Sequence, residues 1–463
     1  LIGPNAVSQQ NVFSKVYSYP GQEYSIRQSF DNGYFIVGAA YQHPFIMHID
    51  STGNYLWEKT YKTSINSADY SYATCITNTN DSCFVFSGAY VDPAIPLQDI
   101  ICVKINQQGD TLWANRILNS FENIPTSIEQ TYDRGFIISG YSLFPSPDNI
   151  MVAKLDSSGN LNWIKELRSN SNYNYGYAAK QTPDSGYAVI SFVSSAPANC
   201  MVLIKLSPAG NIAWAKKYNR PIAVPGKGFD LTITQTGIVN LLYVDSSVVL
   251  MKTDFSGNIV WSKSFNKGIP FDNCINCGSS KLHSTLDGGF VFNVNIFKGF
   301  NSARDMIIKV DSLGNYQWSD TVSLISKEVI ETKDKGYIVL GGGLPLFKLG
   351  PPQVGIIKMD SLGIATSCVN NFPVNLITDS MVATTIVITV TSAGTEQKIH
   401  PEISLVPISV DTGCVNLIAP NGIEEYSQES SINIFPNPAI HEIKIESLKS
   451  KIENVEIYDM MGE

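Results

Sequence analysis

The chain has little charge, little histidine and no long apolar run. Only 16% of its 463 residues are charged, and 41 acidic against 32 basic residues leave a formal charge of -9. An acidic chain with no basic stripe cannot neutralise a phosphate backbone, so nucleic acid is excluded as a partner. No apolar run reaches the roughly 18 to 20 residues that cross a bilayer. The nearest, Met381 to Val390, is interrupted by Thr384, Thr385 and Thr389, so the chain is read as not membrane-spanning. His43, His48, His283, His400 and His441 are scattered without HExxH or paired spacing, and no metal site or cofactor is expected. No Ser lies in a GxSxG elbow. Eight Cys are too few for a disulfide-built miniprotein, and a core of this size needs no staples. The 34 Gly, 23 Pro and 44% hydrophobic residues exclude collagen-like, disordered and coiled-coil readings and fit one to three folded domains. Beginning at Leu1 rather than Met, the sequence reads as a processed product or a fragment, with a removed signal peptide as one explanation.

What is present is a repeat. All six Trp belong to one motif: Lys, apolar, Asp, two small residues, Gly, Asn, two residues, Trp. It runs His48 to Trp57, Lys104 to Trp113, Lys154 to Trp163, Lys205 to Trp214, Lys252 to Trp261 and Lys309 to Trp318, and a seventh copy, Lys358 to Ile364, lacks the Trp. Its Gly positions, 53, 109, 159, 210, 257, 314 and 363, are 47 to 57 residues apart. Upstream of each copy lies Asp, any residue, Gly, aromatic: Asp31 to Tyr34, Asp133 to Phe136, Asp184 to Tyr187, Asp287 to Phe290 and Asp334 to Tyr337, with degraded forms at Asp81-Ser82-Cys83 and Thr236-Gly237. Asp or Asn with Gly between alternating apolar runs predicts a tight hairpin, with Gly taking the positive φ. Each repeat thus holds two hairpins. In the first, strands are predicted near Tyr24–Ser29, Tyr34–Ala40, Phe45–Asp50 and Tyr55–Tyr61. Asp50-Ser-Thr-Gly53-Asn54 and its copies lack the ligand ladder of a calcium loop and read as turns whose Asp caps its own backbone.

Four antiparallel strands per repeat of about 50 residues is a propeller blade, so the expected fold is all-β, a seven-bladed β-propeller over residues 1–367. Blade seven lacks its outer strand. The segment 11–18 supplies one, with Phe13 in the Trp place and Lys15 matching Lys59, Lys165, Lys216 and Lys263. The N-terminal strand therefore closes the ring, and the Trp are read as packing anchors between blades rather than as a sugar-binding cluster. Beyond the ring, 368–428 is a Thr/Val-rich β extension. Cys368-Val-Asn and Cys414-Val-Asn bracket its core, and a Cys368–Cys414 disulfide is expected. Cys274-Ile-Asn-Cys277 is half a zinc site at most and reads as a loop disulfide between blades five and six.

The last segment, 429–463, carries Phe435-Pro436-Asn437-Pro438 and, further on, Tyr458-Asp459-Met-Met-Gly462. This motif pair resembles the C-terminal sorting domain of type nine secretion substrates, without the family's final basic strand. The resemblance implies a small β-sandwich address read by an outer-membrane translocon, and a secreted or outer-surface location. The Asp-x-Gly-aromatic blades also resemble propeller passengers exported by the same route.

The turns joining first to second and third to fourth strands are stereotyped and share one face. The second-to-third and blade-to-blade connections share the other face and vary, and function on a repeat scaffold sits on such loops. Tyr90, Asp92, Tyr141, Phe144, Asp148, Tyr173, Tyr175, Phe297, Phe300 and Phe347 are therefore the candidate binding residues for a glycan or protein partner. The acids outside the repeat turns are Asp92, Asp99, Glu122, Asp148, Asp230, Asp245, Asp272 and Asp305. No catalytic residue stands out. The expected function is an exported binding or scaffold protein; the alternatives are a polysaccharide hydrolase or lyase, recognised by carboxylates or a His converging at the channel, and a surface-layer or appendage subunit.

Overall fold

The computed structural model describes residues 11–412 apart from the connections 19–20, 64–68, 93–96, 119–121, 144–147, 170–172, 195–199, 220–225, 245–246, 267–279, 297–303, 343–352, 366–368 and the short links within 372–408; beyond 412 it describes 432–435 and 444–447. The described residues contain strands and no helix. Strand β1 (Phe13–Ser18) precedes six four-stranded meanders. Blade one is β2 (Gly21–Gln28), β3 (Tyr34–Ala40), β4 (His43–Ile49) and β5 (Tyr55–Lys62). Blade two is β6 (Tyr70–Asn78), β7 (Phe84–Asp92), β8 (Leu97–Ile105) and β9 (Thr111–Leu118). Blade three is β10 (Asn123–Gln130), β11 (Phe136–Ser142), β12 (Asn149–Leu155) and β13 (Leu161–Arg168). Blade four is β14 (Tyr173–Gln181), β15 (Tyr187–Ser194), β16 (Cys200–Leu206) and β17 (Ile212–Asn219). Blade five is β18 (Gly226–Thr234), β19 (Gly237–Val244), β20 (Ser247–Thr253) and β21 (Ile259–Asn266). Blade six is β22 (Leu282–Ser284), β23 (Phe290–Ile296), β24 (Arg304–Val310) and β25 (Tyr316–Val322). Blade seven has β26 (Ile325–Glu331), β27 (Tyr337–Gly342) and β28 (Gln353–Met359), completed by β1. The protein is a seven-bladed β-propeller.

Ring closure follows the repeat register. Phe13 pairs with Lys358 across β1 and β28, as Trp57 pairs with His48 and Trp113 with Lys104. Each of these aromatic rings abuts the turn glycine of the next blade: Phe13 on Gly53, Trp57 on Gly109, Trp113 on Gly159, Trp163 on Gly210, Trp214 on Gly257, Trp261 on Gly314 and Trp318 on Gly363. At Gly109, φ is +76° and a Cβ would stand 2.6 Å from the Trp57 ring, so both the backbone conformation and the neighbour require glycine. Two residues beyond each aromatic, a polar side chain reaches the same turn. Lys15 donates to Asn54 at 2.7 Å, Lys59 to Asp110 at 2.9 Å and Lys216 to Asn258 at 3.0 Å. Four residues beyond the ring, Tyr17, Tyr61 and Tyr218 donate to the glycine carbonyls at 2.5, 2.7 and 2.8 Å.

The two sequence signatures are one device within each blade. The motif Lys is buried and pairs with the Asp of the preceding hairpin: Lys104–Asp81 at 2.6 Å, Lys154–Asp133 at 2.8 Å, Lys205–Asp184 and Lys309–Asp287 at 2.9 Å, Lys358–Asp334 at 3.0 Å. His48 takes this place opposite Asp31, and Lys252 turns to Thr236 where the Asp is missing. The expected role of the hairpin glycine is corrected. Where the hairpin carries Asp-x-Gly, the positive φ belongs to the residue before the glycine, Asn32, Arg134, Ser185, Gly288 or Lys335; Ser82 takes it before Cys83, and in blade five Gly237 takes it itself. The glycine itself makes room for the strand behind: a Cβ at Gly135 would lie 2.2 Å from the Leu155 carbonyl and 2.4 Å from the Lys154 ammonium. In the second turn Asp50 caps its own backbone, accepting from Thr52 N and Asn54 N at 2.8 Å.

The Thr/Val-rich extension lies around the ring. Strands β29 (Val369–Asn371), β30 (Asn375–Thr378), β31 (Val382–Thr385), β32 (Thr389–Thr391), β33 (Thr395–Lys398), β34 (Glu402–Leu405) and β35 (Ser409–Thr412) each add a fifth, antiparallel strand to one blade, in the order six, five, four, three, two, one, seven. This belt and the propeller form one compact unit, Leu1–Leu417, and Ile418–Glu463 a second. In the second unit β36 (Ile432–Phe435) pairs antiparallel with β37 (Lys444–Ser447), Phe435 opposite Lys444. Pro436, Asn437, Pro438, Tyr458, Asp459 and Gly462 lie outside the described residues, as do Cys274, Cys277, Cys368 and Cys414. None of the four described cysteines, Cys75, Cys83, Cys102 and Cys200, is in a disulfide.

Blade six departs from the rule at one place. Asp320 occupies the slot held by Lys59 and Lys216, and burial, then the nearby Asp360 carboxylate, push its carboxyl up to about 6. A carboxyl titrating higher folded than unfolded destabilises the fold as pH rises through that value and not at low pH. Asp320→Asn should therefore raise the unfolding free energy by about 1–2 kcal/mol at pH 8 and leave it nearly unchanged at pH 3.5, read by urea denaturation. In the same assay Trp163→Ala should cost about 3–5 kcal/mol by emptying one blade interface.

Candidate functional site

The inner strands β2, β6, β10, β14, β18, β22 and β26 line the central channel, and six of the seven carry a β-bulge. The bulge leaves Tyr24, Thr74, Thr126, Tyr177, Phe229 or Lys327 unpaired; β22 has none. On the variable-face side of the bulges the channel is aromatic. Tyr173 and Tyr175, two apart on β14, present parallel rings 6.5 Å between centroids, and Tyr175 stacks at 6.0 Å on Phe192, its cross-strand partner. Tyr141 of blade three meets Tyr175 edge to face at 5.0 Å and 86°. Tyr173 is 52% exposed and forms the open end of this stack.

Polar groups fix the tyrosines from behind. Tyr175 is hydrogen-bonded to Asp148, whose carboxyl is raised by burial against that bond; burial, then the Asp148 bond, also push the Tyr175 hydroxyl up. Asn174 donates to the Asp148 carbonyl at 2.9 Å and accepts from Ser169 N at 3.0 Å, tying both neighbouring loops to β14. Across the channel Tyr72 donates to Gln98 at 3.0 Å, Gln98 to Glu122 at 2.7 Å, and Tyr24 to Gln22 at 2.8 Å. Burial raises the Tyr72 hydroxyl, and the facing Tyr141 and Tyr24 add to it. Tyr177 and Phe229 continue the wall at 6.2 Å.

Of the ten candidate residues, Tyr141, Asp148, Tyr173 and Tyr175 come together here. Tyr90 does not join them. It is buried with the Arg116 guanidinium 3.8 Å over its ring, and its hydroxyl donates to Asp69, while Arg116 is anchored by Asp99 at 2.7 Å. Asp92 ends β7, half-buried, and is not part of the stack. Phe144, Phe297, Phe300 and Phe347, with Asp245 and Asp272, lie outside the described residues.

Below the bulges the channel is closed by charge. Glu328 accepts from Arg27 at 2.6 Å, Ser25 Oγ at 2.7 Å, Ile26 N at 2.9 Å and His283 at 2.8 Å. Lys180 pairs with Glu129 at 2.5 Å, and Asp230 accepts from Leu231 N at 2.8 Å and Leu282 N at 2.9 Å. Lys281 reaches the Thr126 carbonyl at 3.1 Å. The space left among these groups is about 20 Å³, room for a water molecule. Burial opposes the charge on Glu328, yet Arg27, His283 and Lys281 hold its carboxyl far below the usual carboxylate range; Lys180 likewise holds Glu129 low against burial. Carboxylates and a His thus do converge in the channel. Glu328 and Glu129 are kept ionised, the opposite of what a general acid requires.

Of the waist residues only Asp230 stood among the acids that sequence reasoning set apart, although a signal marks the others. Arg27, Glu129, Lys180 and His283 each stand four residues before the hairpin Asp, and Ser25, Lys281 and Glu328 stand six before it. Charges of both signs in one repeat slot indicate side chains that face one another across a ring.

No protein-family model matches this chain, and neither does any curated protein sequence. Among solved structures, the crystal structure of a protein of unknown function from Dyadobacter fermentans is similar, at 8% identity and a TM-score of 0.41, covering 63% of this chain and 95% of that one.

The waist is a testable element of stability. A depressed folded carboxyl contributes above the unfolded value of about 4.3, and the contribution is lost as pH falls below it. Glu328→Gln should cost about 3 kcal/mol at pH 7, by leaving Arg27 without its buried partner, and markedly less at pH 3. Equal costs at both values, measured by urea denaturation, would contradict this assignment.

Proposed function

We propose that this chain is an exported binding protein, secreted or held at the outer cell surface, that recognises a glycan at the tyrosine-lined mouth of its variable face. The observation that carries the reading is the Tyr173–Tyr175–Phe192 stack with Tyr141 at its edge and Asp148 behind it. Sugar rings present apolar C–H faces that stack on aromatic planes, and hydroxyls that bond carboxylates, amides and phenols. The mouth offers both within one wall. Glu328 and Glu129, held ionised by their cationic partners, lack the raised carboxyl that a glycosidase general acid needs, which favours binding over hydrolysis. The use of the extension on the chain's own blades favours a monomeric carrier over a subunit whose extension pairs with a neighbour.

Export is supported by the resemblance of the Phe435-to-Pro438 and Tyr458-to-Gly462 motifs to a type nine sorting domain, whose partner in transit is the outer-membrane translocon. In an oxidising compartment Cys368–Cys414 and Cys274–Cys277 are the expected disulfides.

The experiment is co-sedimentation of the full chain with a panel of insoluble polysaccharides, followed by assay of the supernatant for new chain ends. Binding without new ends is expected, weakened about tenfold by Tyr173→Ala, a loss of roughly 1.4 kcal/mol. New chain ends would overturn the non-catalytic reading, and binding indifferent to both Tyr173→Ala and Tyr141→Ala would overturn the site.

A further inference from the structure

Six of the seven outer turns are approached from the preceding blade by Lys or Asn, and the seventh by a carboxylate. The approaching residue stands two beyond the docking aromatic: Lys15, Lys59, Asn115, Lys165, Lys216 and Lys263. Lys59 donates to the Gln108 carbonyl at 2.5 Å as well as to Asp110, and Asn115 donates to the Gly159 carbonyl at 2.6 Å. The Lys165 and Lys263 stems lie against Gly210 and Gly314. Between blades six and seven the same slot holds Asp320. Its Oδ2 stands 2.7 Å from the place of a Cβ on Gly363, so the carboxyl is aimed at the turn 360–363.

Two further donors are missing at this turn. Elsewhere an Asn bonds the second oxygen of the capping Asp, as Asn54 bonds Asp50 Oδ2 at 3.0 Å and Asn315 bonds Asp311 Oδ2 at 2.9 Å; here the residue is Ile364. Val322 stands where Tyr17, Tyr61 and Tyr218 donate to the glycine carbonyl in other blades. Asp360 spends Oδ1 on Leu362 N and Ile364 N at 2.8 and 2.9 Å. Among the described residues, no donor reaches Asp360 Oδ2, the Leu362 and Gly363 carbonyls or the Asp320 carboxyl, although Asp320 is only 6% exposed. Lys358 feels the Asp360 charge but is committed to Asp334 and to the Met359 carbonyl. A carboxylate buried without a partner is costly, and a second one facing it raises the cost.

We propose that a calcium ion is held here, between blades six and seven, by the Asp320 carboxylate, Asp360 Oδ2 and the carbonyls of Leu362 and Gly363. All four are hard oxygen ligands, and calcium takes about six to eight, so water entering beside the exposed Leu362 completes the shell. The dimensions agree. A lysine ammonium lies two bonds further from the backbone than a carboxylate oxygen, roughly 2.5 Å, and a calcium–oxygen contact is about 2.3–2.6 Å. An ion seated on Asp320 therefore falls where the ammonium lies in other blades, and its coordination does the work of the absent Lys, Asn and Tyr bonds. It ties blade six to the blade that β1 completes. The expectation of no metal site treats the seven turns alike; Asp320, Val322 and Ile364 set the seventh apart. The proposal is independent of the glycan reading.

The test uses the full chain, stripped with EDTA and titrated with terbium, a luminescent substitute for calcium. The Trp318 ring lies on Gly363, so exciting the indoles should sensitise terbium emission, and Trp318→Phe should abolish it. Calcium should displace terbium with a dissociation constant of about 0.1–1 mM, the range of extracellular calcium modules, and magnesium at least tenfold more weakly. Absent emission, emission that survives Asp320→Asn or Trp318→Phe, or equal competition by magnesium would overturn the site. In urea denaturation, 10 mM calcium should raise the folding constant of the natural chain by a factor of about 10–100. It should change that of Asp320→Asn, and of Asp320→Lys, which restores the residue of other blades, less than twofold. The gain expected of Asp320→Asn at pH 8 belongs to the chelated chain, and calcium should narrow or reverse it; a gain that calcium leaves unchanged would overturn the proposal. Polysaccharide binding is read separately, so a chain that binds glycan and no calcium overturns this site alone.

Discussion

The rest of the structure depends on an aromatic ring lying on a turn glycine of the next blade. The contact recurs seven times, and it couples two requirements that neither residue meets alone. The turn needs a positive φ, which glycine supplies without strain, and the ring needs a flat backbone surface, which only a missing side chain provides. Around it stand the polar side chain and, in several blades, the tyrosine that bond the same turn from the sides. A blade of four short strands has two open faces and cannot bury either by itself. The ring-on-glycine contact fixes the angle at which the next blade covers them, and seven such angles close a circle.

A scaffold set by one face of the molecule leaves the other face free. Both stereotyped turns lie at the end of the blades where the rings dock, and the loops at the opposite end carry no such duty. The channel divides accordingly. Its variable end is walled by Tyr24, Tyr72, Tyr141, Tyr175 and Tyr177, and its middle is lined by paired charges. The variable side thus presents tyrosine rings above a charged waist. The belt completes the arrangement by covering the seven outer edges, which would otherwise offer unpaired backbone to any passing strand.

Much of this was legible in the sequence for a physical reason: contacts made once per blade leave a period. The Trp, the turn glycines and the Lys–Asp pairs are such contacts, and Phe13 with Lys15 betrayed the closing strand by matching the period in the wrong blade. The hairpin glycine was placed correctly and explained wrongly, because its crowding comes from a strand behind it and not from the turn. Tyr141, Asp148, Tyr173 and Tyr175 were visible as loop-edge aromatics and an acid, whereas Tyr90 was not distinguishable from them. Its partner Arg116 lies 26 residues away, on β9, and no local pattern announces a cation over a ring. The belt was seen only as a β-rich tail. Its strands of three or four residues pair with blades as much as about 390 residues distant, and a six-to-seven-residue spacing acquires meaning only once the ring is known.

The most direct measurement of the central claim, a glycan held at the tyrosine mouth, is hydrogen–deuterium exchange of the full chain with and without soluble oligosaccharides prepared from a polysaccharide that co-sediments with it. Slowed exchange is expected in peptides spanning 141–148 and 173–177, with the stereotyped turns unchanged. Protection at those turns or on the belt strands, with none at the mouth, would contradict it.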